Sequence, residues 1–109
     1  MAEVVATLTE ADDGRTVELR VGDLLELHLH ENASTGYHWS FDALDAAVVT
    51  VRDDGYVSRS QAVGSGGDRR WTLAMKAPAT TRIGLELRRP WEKDVPPAKA
   101  FALTLIIRS

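Results

Sequence analysis

The chain has 109 residues, 44% hydrophobic and 27% charged, with a formal net charge of −3. This fits one soluble domain spanning residues 1–109 with a continuous core, and it argues against a nucleic-acid binder, which is normally basic. Cysteine is absent, which excludes disulfides, thiolate zinc sites and a thiol nucleophile.

No run approaches the roughly 20 apolar residues of a membrane span, so no membrane partner is expected. Residues 1–11, with Glu3 and Glu10, lack the basic and apolar regions of a signal peptide. The expected location is the cytoplasm, unless the chain is the mature form of an exported precursor.

In chain order, a weak strand over residues 3–8 leads to a tight-turn pair, Asp13-Gly14. Val17, Leu19 and Val21 then alternate with Thr16, Glu18 and Arg20. After Gly22-Asp23, Leu25, Leu27 and Leu29 alternate with Glu26, His28 and His30. Tyr37, Trp39 and Phe41 alternate with His38, Ser40 and Asp42. Residues 42–47 suit one short helical turn. Weak strands follow over 47–52 and 55–60, separated by a third turn pair, Asp54-Gly55. Trp71, Leu73 and Met75, then Ile83, Leu85 and Leu87, then Phe101, Leu103, Leu105 and Ile107 repeat the period of two. Such alternation places one face of each strand in a core and the other in water. Many short strands of this kind predict an all-β sandwich of about seven to eight antiparallel strands.

Three segments break the alternation: residues 31–36, 62–68 and 90–99. Binding residues concentrate on loops held by a rigid scaffold. The first contains Asn32, Ala33, Ser34, Thr35 and Gly36, with Tyr37 at its exit; an ordinary capped turn explains it as well as a binding loop does. The second reads Val63, Gly64, Ser65, Gly66, Gly67. A Gly-rich loop that cradles phosphate is normally followed by a helix, whereas a strand follows here, so close backbone approach to a partner is favoured. The third opens with Arg89, Pro90 and Trp91. Trp39 and Trp71 belong to alternating apolar runs and are expected in the core. Trp91 belongs to none, and an exposed Trp beside an Arg is typical of an interface anchor.

Together the three loops resemble those of the chagasin-like inhibitors of papain-like cysteine peptidases. Residues 32–37 are similar to that family's Asn-Pro-Thr-Thr-Gly-aromatic loop, residues 64–67 to its Gly-x-Gly-Gly loop, and residues 89–91 to its Arg-Pro-Trp loop. The resemblance covers nearly the whole chain. It implies an immunoglobulin-like sandwich whose three loops form a wedge at one end. The wedge would enter the peptidase cleft and inhibit reversibly, without covalent chemistry. By carry-over, Thr35 approaches the catalytic Cys and His of the enzyme, residues 63–67 run along the non-primed subsites, and Arg89 and Trp91 face the primed side. Two departures stand out. Ala33 replaces the family's Pro, which frees φ and lowers preorganisation by about 0.4–1 kcal/mol. Glu92, Lys93 and Asp94 stand where a Gly often follows the Trp.

An enzyme is the first rival reading. Glu26, His28 and His30 share one strand face and are competent metal ligands, yet surface exposure is their better explanation. Ser34 and Ser65 would need a His brought beside them to act as nucleophiles, and His38 is expected on the surface. The expectation is therefore no enzymatic activity, no metal and no cofactor. The second rival is an immunoglobulin-like carbohydrate- or protein-binding adhesion module, with Tyr37 and Trp91 stacking on a sugar ring. That reading leaves the Gly-rich loop unexplained. The expected state is a monomer that partners papain-like cysteine peptidases.

Overall fold

The computed structural model describes residues 3–31, 35–58, 67–92 and 94–109. Eight strands are found among them: β1 (Val4–Leu8), β2 (Thr16–Arg20), β3 (Leu24–Glu31), β4 (His38–Ala43), β5 (Val49–Ser58), β6 (Gly67–Met75), β7 (Ala79–Arg88) and β8 (Lys99–Arg108). They form two four-stranded sheets, β1-β3-β6-β5 and β2-β8-β7-β4.

The period of two becomes burial directly. Leu25, Leu27 and Leu29 of β3, Trp71, Leu73 and Met75 of β6, and Ile83 and Leu85 of β7 are buried, as are all four apolar alternants of β8. They pack as one cluster between the sheets. Trp71 of the first sheet meets Phe41 of the second edge-to-face, with centroids 5.7 Å apart, an arrangement that aromatic quadrupoles favour. The architecture is an immunoglobulin-like β-sandwich.

Strand direction departs from the expectation in two places. Most pairs are antiparallel, but β1 runs parallel to β3 and β2 parallel to β8. Both sheets are therefore mixed. The reason is connectivity: after β1 the chain leaves the first sheet and enters the second as β2. Alternation reports which face is buried and carries no information on pairing direction.

A second correction concerns Asp54-Gly55, which turns nothing. It lies inside β5, opposite Trp71 and Arg70 of β6, beyond a register shift between Val51 and Asp53. Pairing along β6 overrides the local turn preference. Asp13-Gly14 and Gly22-Asp23 do turn the chain, with positive φ at both glycines. The helical turn expected over 42–47 is a tight turn instead, closed by the Val48 and Val49 amides donating to the Asp45 carbonyl.

A short 3-10 turn, Glu10–Asp12, was not legible from apolar pattern. Its N-cap Thr9 and Asp12 satisfy each other: the Thr9 amide donates to Asp12 Oδ2 at 2.9 Å and the Ala11 amide to Thr9 Oγ1 at 3.4 Å. Just beyond the cap, Asp13 accepts from the Ala102 amide and the Gly14 amide donates to the Ala102 carbonyl, which fastens the crossover onto β8.

At one pole β3, β5 and β7 end while β4, β6 and β8 begin. The register proves it: Glu31 faces Gly67, Ser58 faces Gly67, His38 faces Arg88, and Leu87 faces Lys99. All three alternation-breaking segments connect strands at this pole.

Two measurements check this account. Leu103→Ala should lower the unfolding free energy by about 2–5 kcal/mol in urea titration, through lost burial and a cavity. The Thr9 amide, and secondarily Arg15, hold the Asp12 carboxyl below the usual range. Its contribution is therefore present above the ordinary Asp pKa of about 3.9 and lost as pH falls through the lower folded value. Asp12→Ala should flatten that acid limb of the stability curve.

Candidate functional site

Glu31 ends β3 and stands where sequence reasoning put the start of a loop. It is a buried charged residue, 2% exposed. Parity explains its place: it continues the inward series Leu25, Leu27, Leu29. A buried carboxylate is costly unless hydrogen-bonded and paired. Here the Trp39 amide donates to Glu31 Oε1 at 2.7 Å. His38 Nδ1 and Arg69 Nη1 lie 3.5 Å and 3.8 Å from Oε2. The Tyr56 hydroxyl donates to the Glu31 carbonyl at 3.2 Å.

Arg69 extends the chain of charge. It occupies the inward parity of β6, above Trp71, with its guanidinium carbon 5.4 Å from the ring centroid. Its Nη2 donates to both carboxylate oxygens of Asp54, at 2.6 Å and 2.8 Å. His38, Glu31, Arg69 and Asp54 thus link the roots of β4, β3, β6 and β5. Those strands carry both ends of the first loop and the flanks of the second.

The first and third loops meet directly. Arg89 follows β7, and its Nε donates to the Thr35 carbonyl at 3.1 Å. Its guanidinium lies over the Tyr37 ring, 4.4 Å from the centroid, within the range of a cation–π contact. Glu92 Oε1 lies 3.5 Å from its Nη1. Arg89 is therefore a strut between loops, engaged on three sides within its own chain. Pro90 stops the ladder, and Trp91 emerges beyond it, 68% exposed.

Gly36 sits beneath that Trp. Its φ is +81°, and a Cβ built there would lie 2.5 Å from Trp91 Cη2. Positive φ and lack of a side chain are both needed, so Gly36 is the residue that lets the two loops touch.

Of the residues singled out from sequence, Thr35, Gly36, Tyr37, Arg89, Pro90 and Trp91 come together. Gly67 opens β6 at the same pole, opposite Glu31. Asn32, Ala33 and Ser34, with Val63, Gly64, Ser65 and Gly66, lie outside the described residues. Trp39 and Trp71 are core residues. Glu26 and His28, weighed above as metal ligands, bond to each other through Oε1 and Nε2. The residues missed were Glu31 and Arg69. The available signal was a charge at an inward-facing position of a strand.

The chain is similar to known proteins along nearly its whole length. The profile described as Chagasin family peptidase inhibitor I42 matches residues 18–105. Chagasin of Trypanosoma cruzi is 28% identical over 103 residues, covering 90% of this chain and 94% of that protein. Amoebiasin-2 of Entamoeba histolytica is 31% identical over 105 residues, covering 93% of this chain and 84% of that protein. The crystal structure of the cysteine protease inhibitor EhICP2 from Entamoeba histolytica superposes with a TM-score of 0.86 at 30% identity, over 94% of this chain and 96% of that one. With the profile spanning most of its length and relatives matching nearly end to end, this chain belongs to the chagasin family of peptidase inhibitors.

Proposed function

We propose that this chain inhibits papain-like cysteine peptidases reversibly and competitively, by lodging the loop pole as a wedge in the active-site cleft. The observation that carries the reading is the Arg89 strut. It joins the first and third loops through the Thr35 carbonyl and the Tyr37 ring while leaving Trp91 exposed.

A peptidase cuts a chain that lies extended with a carbonyl in line with its nucleophile. A loop held in a turn fills the same space without offering that alignment, so occupancy alone blocks turnover. Residues 32–36 would cover the catalytic Cys and His, with Thr35 nearest. Residues 63–67 would follow the non-primed side. Trp91 would pack on an apolar or aromatic surface of the primed side, as large aromatic anchors do at interface centres. Arg89 and Tyr37 act mainly by holding Trp91 and Thr35 in fixed relation. A wedge formed before encounter avoids much of the ordering cost of association.

Titration of papain with the pure protein at several substrate concentrations should raise the apparent KM and leave kcat unchanged. Absence of inhibition at micromolar concentration would remove the reading. Trp91→Ala should weaken binding by about 2 kcal/mol or more, roughly thirtyfold in Ki. Its thermal midpoint should be nearly unchanged, because the side chain is outside the core. Gly36→Ala should cost about 1–3 kcal/mol of stability for the left-handed backbone. It should also weaken inhibition, because its methyl group displaces Trp91.

A further inference from the structure

We infer that Glu31 is a positioning residue for inhibition: its carboxylate closes the root of the first loop across the gap between the two sheets and so fixes where Thr35 stands. This rests on the inhibitory reading of the loop pole. The problem it solves is topological. β3 lies within the first sheet and β4 is the edge strand of the second, so the ladder bonds that close an ordinary hairpin are not available to residues 32–37. An edge strand also presents amides on its outer side without ladder partners. The Trp39 amide finds Glu31 Oε1 at 2.7 Å, and the Trp39 indole Nε1–H finds the His30 carbonyl at 2.8 Å. Two successive residues of β3 thereby hold one residue of β4.

The groups facing Glu31 come from every element around it: His38 and the Trp39 amide from β4, Arg69 from β6, and the Tyr56 hydroxyl of β5 on its carbonyl. Arg69 has a second anion in Asp54, so it keeps a counter-charge without Glu31. The Trp39 amide has no such second acceptor among the described residues. The reach of the side-chain oxygen therefore matters more than its charge.

Two variants separate reach from charge. Glu31→Gln keeps the acceptor at full length and removes the charge; Glu31→Asp keeps the charge and withdraws the acceptor by one methylene. Leu19→Ala, a buried position of β2 near the opposite pole, serves as the control for general destabilisation. The expected results are a Ki for papain within about threefold of the parent for Glu31→Gln and about tenfold or more above it for Glu31→Asp, because an unfixed loop must be ordered on binding. Leu19→Ala should keep the parental Ki at temperatures where it is folded. Amide hydrogen exchange at Trp39 and Tyr37 should be unchanged in Glu31→Gln and faster in Glu31→Asp. A Glu31→Asp variant that inhibits like the parent, a Glu31→Gln variant as weak as Glu31→Asp, or equal weakening by Leu19→Ala would overturn the proposal. Should the parent itself fail to inhibit, the inhibitory reading falls, while the exchange of the Trp39 amide still decides whether Glu31 closes the loop.

Discussion

A sandwich that sends its chain from one sheet to the other must join them without backbone ladders, and in this protein the join at the loop pole is a buried carboxylate. Glu31 takes an amide of β4, faces Arg69 of β6 and lies beside His38. Burying the Glu31 carboxylate is tolerated because its oxygens face donors, the Trp39 amide and the Arg69 guanidinium. The apolar cluster beneath could be filled by many side chains of similar volume. The pole could not, because replacing Glu31 by an apolar residue would orphan the Trp39 amide.

The same pole illustrates a division of labour between strength and exposure. Arg89 is engaged within the chain, by the Thr35 carbonyl, the Tyr37 ring and Glu92. Its neighbour Trp91 is left exposed. A flexible cation made rigid supports a large aromatic with few rotatable bonds, and both features lower the entropy lost on docking. Gly36 completes the arrangement by letting backbone lie against the Trp91 ring.

The layer structure was legible because alternation is a physical consequence of strand geometry. The inward Leu series of β3, the aromatic pair Trp39 and Phe41 and the four alternants of β8 all fell on the face that is buried. Trp91 was legible by exclusion, being outside any such series. What escaped was set by partners distant in sequence. The parallel pairs depend on which sheet the chain enters next. Asp54-Gly55 reads as a turn alone, but β6 draws it into a strand and Arg69 takes the carboxylate. Glu31 and Arg69 were passed over because charge suggests surface, although their parity pointed inward. Where composition and periodicity disagree, the disagreement itself marked the residues that hold the site together.

That lesson bears on Ala33, which stands where the resembled loop carries a proline. A ring in the loop would fix one φ from within. An alanine at position 33 supplies no such restraint. The described residues supply three ties at the ends of the loop: the Glu31 carboxylate and His30 carbonyl to Trp39, and Arg89 to the Thr35 carbonyl. The root of the loop and its far shoulder are therefore both tied. These ties lie at the junction with the sandwich, where Glu31 also faces Arg69 of β6. Arg69 in turn pairs with Asp54 of β5, so the strands that flank the second loop share the same network.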